Sequence, residues 1–166
     1  MEVIYDDILN VNADVIVNAA NGIGFMGGIL GKYIKFNGLA EYLNYKSNGN
    51  IEKEAKKECK KNKKMPRFPF NHLKKGDIFE TNSYLHNCNK IYHAITMTYP
   101  GTKSSYKIIT ILCDKILELV EKENIKSIAI PLLGCGVGGL KEDKILDIYN
   151  EKFQNYEKVK IIIVRR

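Results

Sequence analysis

Two glycine-rich segments each follow an apolar run that reads as a strand, and together they could close on an anion. The first starts at Val15-Ile16-Val17 and continues Asn18-Ala19-Ala20-Asn21-Gly22-Ile23-Gly24-Phe25-Met26-Gly27-Gly28. The second starts at Ile128-Ala129-Ile130-Pro131 and continues Leu132-Leu133-Gly134-Cys135-Gly136-Val137-Gly138-Gly139. A residue without Cβ lets backbone N–H groups approach an anion with no side chain in the way. Gly27, Gly28, Ile29, Gly136, Val137 and Gly138 are the candidate donors. Each N–H given to a charged acceptor contributes roughly 1.5–3 kcal/mol, so three or four suffice for micromolar binding, about −8 kcal/mol, after ordering costs. A helical pattern follows each segment and would aim a helix N-terminus at the same anion. The pair reads as a clamp on a diphosphate. Neither segment is set in a Rossmann dinucleotide unit, and neither is a GxxxxGK[ST] loop. For one loop alone, tight turns would explain the glycines.

The elements that hold these segments follow from hydrophobic period and turn residues. Val3–Tyr5 reads as a strand ended by Asp6 and Asp7, and Asp14–Asn18 as a strand buried on both faces. Gly28–Phe36 and Leu39–Tyr45 read as short helical stretches before a break at Asn48-Gly49-Asn50. Ile51–Lys64 reads as a very polar surface helix with little core contact, its stripe formed by Ile51, Ala55 and Cys59. Met65–His72, with Pro66 and Pro69, reads as a loop. Strands are expected at Asp77–Thr81 and Lys90–Thr96, and a turn at Tyr99-Pro100-Gly101. Ser104 or Ser105 caps a helix running to Glu123, with Ile108, Ile109, Leu112, Ile116, Leu119 and Val120 inward. Ser127–Pro131 is a strand, Glu142–Phe153 a helix and Val159–Val164 the closing strand. Alternation of strand and helix in the second half implies a largely parallel sheet covered on both faces.

Bulk properties narrow the class. At 166 residues the chain suits one domain, 1–166, expected to be monomeric. No apolar run approaches the ~20 residues of a membrane span, and the acidic start Met1-Glu2-Val3 does not resemble a signal peptide. The four cysteines are widely spaced and the three histidines pair with none of them, so neither a metal nor a cofactor is expected. A reduced, cytoplasmic setting fits that cysteine usage. The net charge is +7, and much of the excess lies between Lys53 and Lys75. A lysine-, asparagine- and isoleucine-rich composition explains this blandly. Attraction to nucleic acid through a basic surface is the functional alternative.

Over nearly its whole length the chain resembles a macrodomain, the ADP-ribose-binding module. Four strings carry the resemblance in order: Asp7-Ile8; Val17-Asn18-Ala19-Ala20-Asn21; Met26-Gly27-Gly28; and Ile130-Pro131-Leu132-Leu133-Gly134-Cys135-Gly136-Val137-Gly138-Gly139-Leu140. The last is similar to the branch holding terminal ADP-ribose protein glycohydrolase and the DarG antitoxins, which take ADP-ribose off DNA bases. The NAAN string resembles other branches. The resemblance implies a three-layer α-β-α fold around a mixed, largely parallel sheet. It also implies ADP-ribose, free or on a macromolecule, as ligand. Asp7 and Ile8 would then meet the adenine, Gly27, Gly28 and Ile29 the distal ribose and diphosphate, and Leu133, Gly134, Cys135, Gly136, Val137 and Gly138 the diphosphate. Asn21 would hold the distal ribose or orient a water, while Asn18 braces the loop. Phe25 and Tyr99 are candidates to pack on ribose or adenine, with a core role as the alternative. His93 reads as a satisfied core histidine.

Hydrolysis of an ADP-ribosyl bond needs an oriented water and charge stabilisation at the leaving group. The common hydrolase branch has an Asp after its polyglycine loop, where this chain has Leu30. The glycohydrolase branch has a lysine and an Asp at the positions matching Met97 and Gly138. Lys103 is the nearest lysine in that loop, with Lys32 and Lys35 as further candidates and surface charge as the alternative for all three. Three readings stand: an ADP-ribosyl hydrolase using Asn21 and Lys103, a non-catalytic ADP-ribose reader, and a nucleic-acid-binding macrodomain.

Overall fold

Six apolar runs each need a ladder partner and a covered face, and one sheet satisfies all of them. The computed structural model describes residues 1–61 and 72–166. Among these the strands are β1 (Glu2–Tyr5), β2 (Val15–Asn21), β3 (Ile78–Asn82), β4 (Lys90–Met97), β5 (Ser127–Pro131) and β6 (Lys160–Arg165). Their order across the sheet is β1-β6-β5-β2-β4-β3. Every neighbouring pair is parallel except β3 with β4. The helices are α1 (Gly28–Tyr33), α2 (Leu39–Lys46), α3 (Asn50–Lys61), α4 (Tyr106–Lys122) and α5 (Glu142–Phe153), with a 3-10 turn over Ile8–Asn10.

Side-chain alternation along the strands builds a core on each face. Val15, Val17, Ile128, Ile130, Ile161 and Ile163 pack with residues of α4 and α5, among them Ile116 and Phe153. Ile16, Ile91, Ala129 and Ile162 pack on the other face with Leu43 of α2 and Ile51 and Ala55 of α3. The result is the α-β-α arrangement around a mixed, largely parallel sheet.

Two expectations are corrected. β2 runs three residues past Asn18, because Asn18 to Asn21 stay in the ladder with β4, opposite His93 to Met97, with a register shift between Ala20 and Asn21. The NAAN string is therefore strand rather than loop. Helix α3 is not loosely attached: Ile51, Ala55 and Cys59 are fully buried, since they close the core beneath α2 and β3. The rest of the expected helix to Lys64, and the loop before His72, lie outside the described residues.

The parallel strands aim their carboxyl ends at one edge of the sheet. At its centre β2 and β5 are neighbours, but the chain leaves β2 toward β4 on one side and β5 toward β6 on the other. Such a switch in direction opens a crevice at the strand ends, where ligands bind in open α/β sheets. Both glycine segments emerge there, termed loop 1 (after β2) and loop 2 (after β5). Asp7 follows β1, and Tyr99 and Lys103 follow β4, on the same edge.

Candidate functional site

Loop 1 is rooted in a buried polar column. Asn18 Nδ2 lies 3.2 Å from His93 Nδ1, and His93 Nε2 lies 3.0 Å from Thr81 Oγ1. The ring stacks on Phe79 with centroids 4.5 Å apart. Burial pushes the His93 pKa down to about 3. A neutral ring accepting at Nδ1 and donating at Nε2 satisfies both bonds. His93 is thus a core histidine, and Asn18 braces the strand. Asn21 closes the next turn: its Nδ2 donates to Phe25 O at 2.7 Å and its Oδ1 accepts from Phe25 N at 3.0 Å. One N–H and one lone pair of that amide remain.

Gly27 and Gly28 have φ of +95° and +62°, left-handed values that a side chain would strain. The Gly28 N–H does not serve as a free donor as expected. It is given to Glu52 Oε2 on α3 at 2.9 Å. The same oxygen accepts from Asn44 Nδ2 at 2.8 Å, and Lys56 pairs with the other Glu52 oxygen. Among the described residues the N–H groups of Gly27 and Ile29 have no acceptor, and the Ile29 side chain is 80% exposed.

Loop 2 is held by neutral contacts. The Tyr149 hydroxyl of α5 donates to Pro131 O at 2.8 Å and accepts from Leu133 N at 3.0 Å. Gly138 crosses Gly134 so closely that a Cβ on it would lie 2.5 Å from Gly134 O. Leu140 N donates to Gly134 O and Gly139 N to Gly136 O, both at 3.0 Å. Cys135 N turns inward to Leu132 O at 3.3 Å, and burial pushes its thiol up to about 11, away from thiolate chemistry. The N–H groups of Gly136, Val137 and Gly138 have no acceptor among the described residues, and Val137 is 63% exposed. Helix α5, which follows loop 2, carries Glu142 and Asp143 in its first turn, and Glu142 pairs with Arg165 at 2.8 Å. Helix α1, after loop 1, is only six residues long.

The segment after β4 joins the two loops. Gly22 N donates to Met97 O and Thr98 O, and Ser104 N donates to Gly138 O at 3.2 Å. Lys103 is brought to loop 2: a Cβ on Gly139 would lie 2.8 Å from its Nζ. Lys32 and Lys35 are drawn elsewhere, onto the rings of Tyr33 and Tyr42. Tyr99 is held edge-on against His72 at 5.4 Å. Phe25 is exposed at loop 1, with the Lys56 ammonium 5.7 Å from its ring centre. Asp7 caps the 3-10 turn through Oδ1, which accepts from Leu9 N at 3.1 Å, and Ile8 is buried beside it. Its second carboxylate oxygen has no partner among the described residues.

Glu52, Asn44 and Tyr149 carry the loops and were not expected to. Glu52 lies three and seven residues before Ala55 and Cys59, on the inward stripe of α3, and that spacing was the available signal. Tyr149 lies four residues after Ile145 and four before Phe153, on the buried stripe of α5, but nothing in that spacing specifies a partner for the hydroxyl.

Comparisons with known proteins give the family and the fold. The Macro domain family model matches residues 17–149. An uncharacterized protein of Aquifex aeolicus is 31% identical over 157 residues, 95% of this chain and 82% of that one. Among solved structures, the macrodomain of Mycobacterium tuberculosis DarG superposes with a TM-score of 0.79 at 21% identity, covering 99% of this chain and 97% of that one. Thermosipho africanus DarTG in complex with ADP-ribose superposes with a TM-score of 0.76 at 21% identity, covering 98% and 41%. The matched family model spans β2 through most of α5, and so both glycine loops; the chain belongs to the Macro domain family.

Proposed function

We propose that this protein binds ADP-ribose across loops 1 and 2 and hydrolyses an ADP-ribosyl linkage on a protein, a nucleic acid or O-acetyl-ADP-ribose. The observation that carries the reading is the Lys103 ammonium lying against Gly139, beside three loop 2 N–H groups without acceptors among the described residues. A diphosphate there gains backbone donors and a cation together. Ile29 and Val137 supply an apolar cover from either loop. Asp7, with one oxygen free beside Ile8, receives the adenine amino group, and Tyr99 packs at the rim. The remaining N–H and lone pair of Asn21 hold the distal ribose or a water. Leu30 stands where an Asp would act as base, so the bound diphosphate, neutralised by Lys103, positions the water that attacks the distal ribose C1″ as the bond to the carrier breaks, and the water's proton passes to the departing group.

Calorimetry with ADP-ribose tests binding, and product analysis on ADP-ribosylated protein and DNA tests cleavage. Lys103→Ala is expected to weaken binding about tenfold and to abolish release of ADP-ribose. Binding without release from either substrate favours a reader, and no binding by the wild type sinks the reading. A nucleic-acid carrier is favoured by one feature: Lys53, Lys56, Lys57, Lys60 and Lys61 line a single surface depression on α3. Affinity for DNA or RNA that falls steeply with salt would support it.

A further inference from the structure

A buried carboxylate directly behind an anion-binding loop opposes the charge of the ligand, and its presence needs a reason. Glu52 is only 4% exposed. Its Oε2 takes the Gly28 N–H at 2.9 Å and the Asn44 amide at 2.8 Å, and Asn44 Nδ2 also donates to Gly28 O at 3.1 Å. Its Oε1 has no hydrogen bond among the described residues and meets only the ammonium of Lys56. Lys56 faces the ring of Phe25, and that ring lies over Gly28, 3.4 Å from where a Cβ would stand. The Phe25 backbone is gripped by Asn21. These contacts form one closed circuit behind loop 1: Asn21, Phe25, Lys56, Glu52, Gly28 and back through the turn.

We infer that Glu52 is a positioning residue for ligand binding: it fixes the left-handed Gly27–Gly28 turn, and so the direction of the Gly27 and Ile29 N–H groups, and it anchors Lys56 beneath Phe25. The inference rests on the ADP-ribose reading above. Loop 1 meets the ligand at the distal ribose and second phosphate, so Glu52 governs that half of the molecule and not the adenosine half. The acceptor at Oε2 is what the turn requires. A glutamine keeps an oxygen there but presents its NH2 group in place of Oε1, so it gives up both the charge and the acceptor toward Lys56, whose half-exposed ammonium can turn to solvent. An aspartate keeps the charge but is one methylene too short to reach Gly28.

The experiment titrates ADP-ribose and AMP, which lacks the distal ribose and second phosphate, into wild type, Glu52→Ala, Glu52→Asp and Glu52→Gln. Glu52→Ala and Glu52→Asp are expected to weaken ADP-ribose about tenfold or more, the size of one lost charge-assisted hydrogen bond, with AMP changed less than about twofold. Glu52→Gln is expected to restore ADP-ribose to within about threefold of wild type. Wild-type affinity in Glu52→Ala, or an equal loss for AMP, or no rescue by Glu52→Gln, overturns the positioning role. If Glu52→Ala does not fold, the contrast of Glu52→Asp with Glu52→Gln decides alone. Failure of the wild type to bind ADP-ribose is read in the same titration and overturns the functional reading instead.

Discussion

Loops 1 and 2 leave neighbouring parallel strands, both rich in glycine, yet they are fixed by opposite means. Loop 1 rests on ionisable groups: a neutral histidine at its root and a buried glutamate against its turn. Loop 2 rests on a tyrosine hydroxyl and a glycine-on-glycine crossing, with a lysine ammonium at its rim. The electrostatic consequence is an asymmetric clamp. The internal carboxylate has already taken one of the loop 1 donors, whereas loop 2 keeps three N–H groups without acceptors among the described residues, next to a cation. On the ADP-ribose reading proposed above, the diphosphate is held chiefly by loop 2, and loop 1 adds the Gly27 and Ile29 N–H groups and orients the sugar beyond it.

The largest test of that asymmetry is a negative charge placed in loop 2. Among the described residues nothing lies within 4 Å of a Cβ on Gly136, so a side chain there does not disturb the turn. Gly136→Glu is expected to keep the fold and to lose at least about 100-fold in ADP-ribose affinity, near 3 kcal/mol. Calorimetry beside a melting curve checks both halves of the statement. Wild-type affinity in this variant would mean that the clamp is not an anion site.

A medium effect is expected where loop 2 is stapled to α5. Tyr149→Phe leaves the buried Leu133 N–H and Pro131 O without their shared partner, which costs about 1–3 kcal/mol of stability. Urea unfolding measures it. Because the hydroxyl is buried and its pKa is raised far above the usual range, the loss is expected to be the same from pH 5 to pH 8. A loss that varies with pH would show that loop 2 is not held by neutral contacts.

Much of this arrangement was written in local sequence, and the exceptions share a cause. The strands Ser127–Pro131 and Glu142–Phe153 as a helix follow from period and length alone. The glycine strings announce the loops because conformational freedom is a property of single residues. What holds the loops is long-range. Glu52 is 24 residues from Gly28, and Asn18 is 75 from His93. No local pattern encodes such a pairing. The strand character of Ala19–Asn21 was hidden for the same reason, since their ladder partner is β4. Helix α3 looked unattached because its lysines outnumber its apolar residues, although three small or apolar side chains on one stripe suffice to bury it.

The smallest effect per unit of change, and the one that separates the two loops most cleanly, is the response to acid. His93 has a pKa near 3 in the folded chain, where burial disfavours the charged ring, against about 6.5 when unfolded. Above pH 6.5 both states are neutral and the histidine contributes no pH dependence. Between pH 6.5 and 3 the unfolded chain takes up a proton that the folded chain refuses, so stability falls as pH falls, by up to about 1.4 kcal/mol per pH unit. The protonated ring would have no acceptor in Asn18 Nδ2, so the column at the root of loop 1 is the part that resists charging. Urea midpoints of wild type and His93→Gln from pH 7 to pH 5 isolate this contribution, because most carboxylates stay ionised in that window. The variant is expected to be less stable at pH 7 but to lose less on going to pH 5. Parallel slopes would mean that His93 is charged in the folded chain or that acid enters elsewhere, and the contrast between an ionisable loop 1 and a neutral loop 2 would not hold.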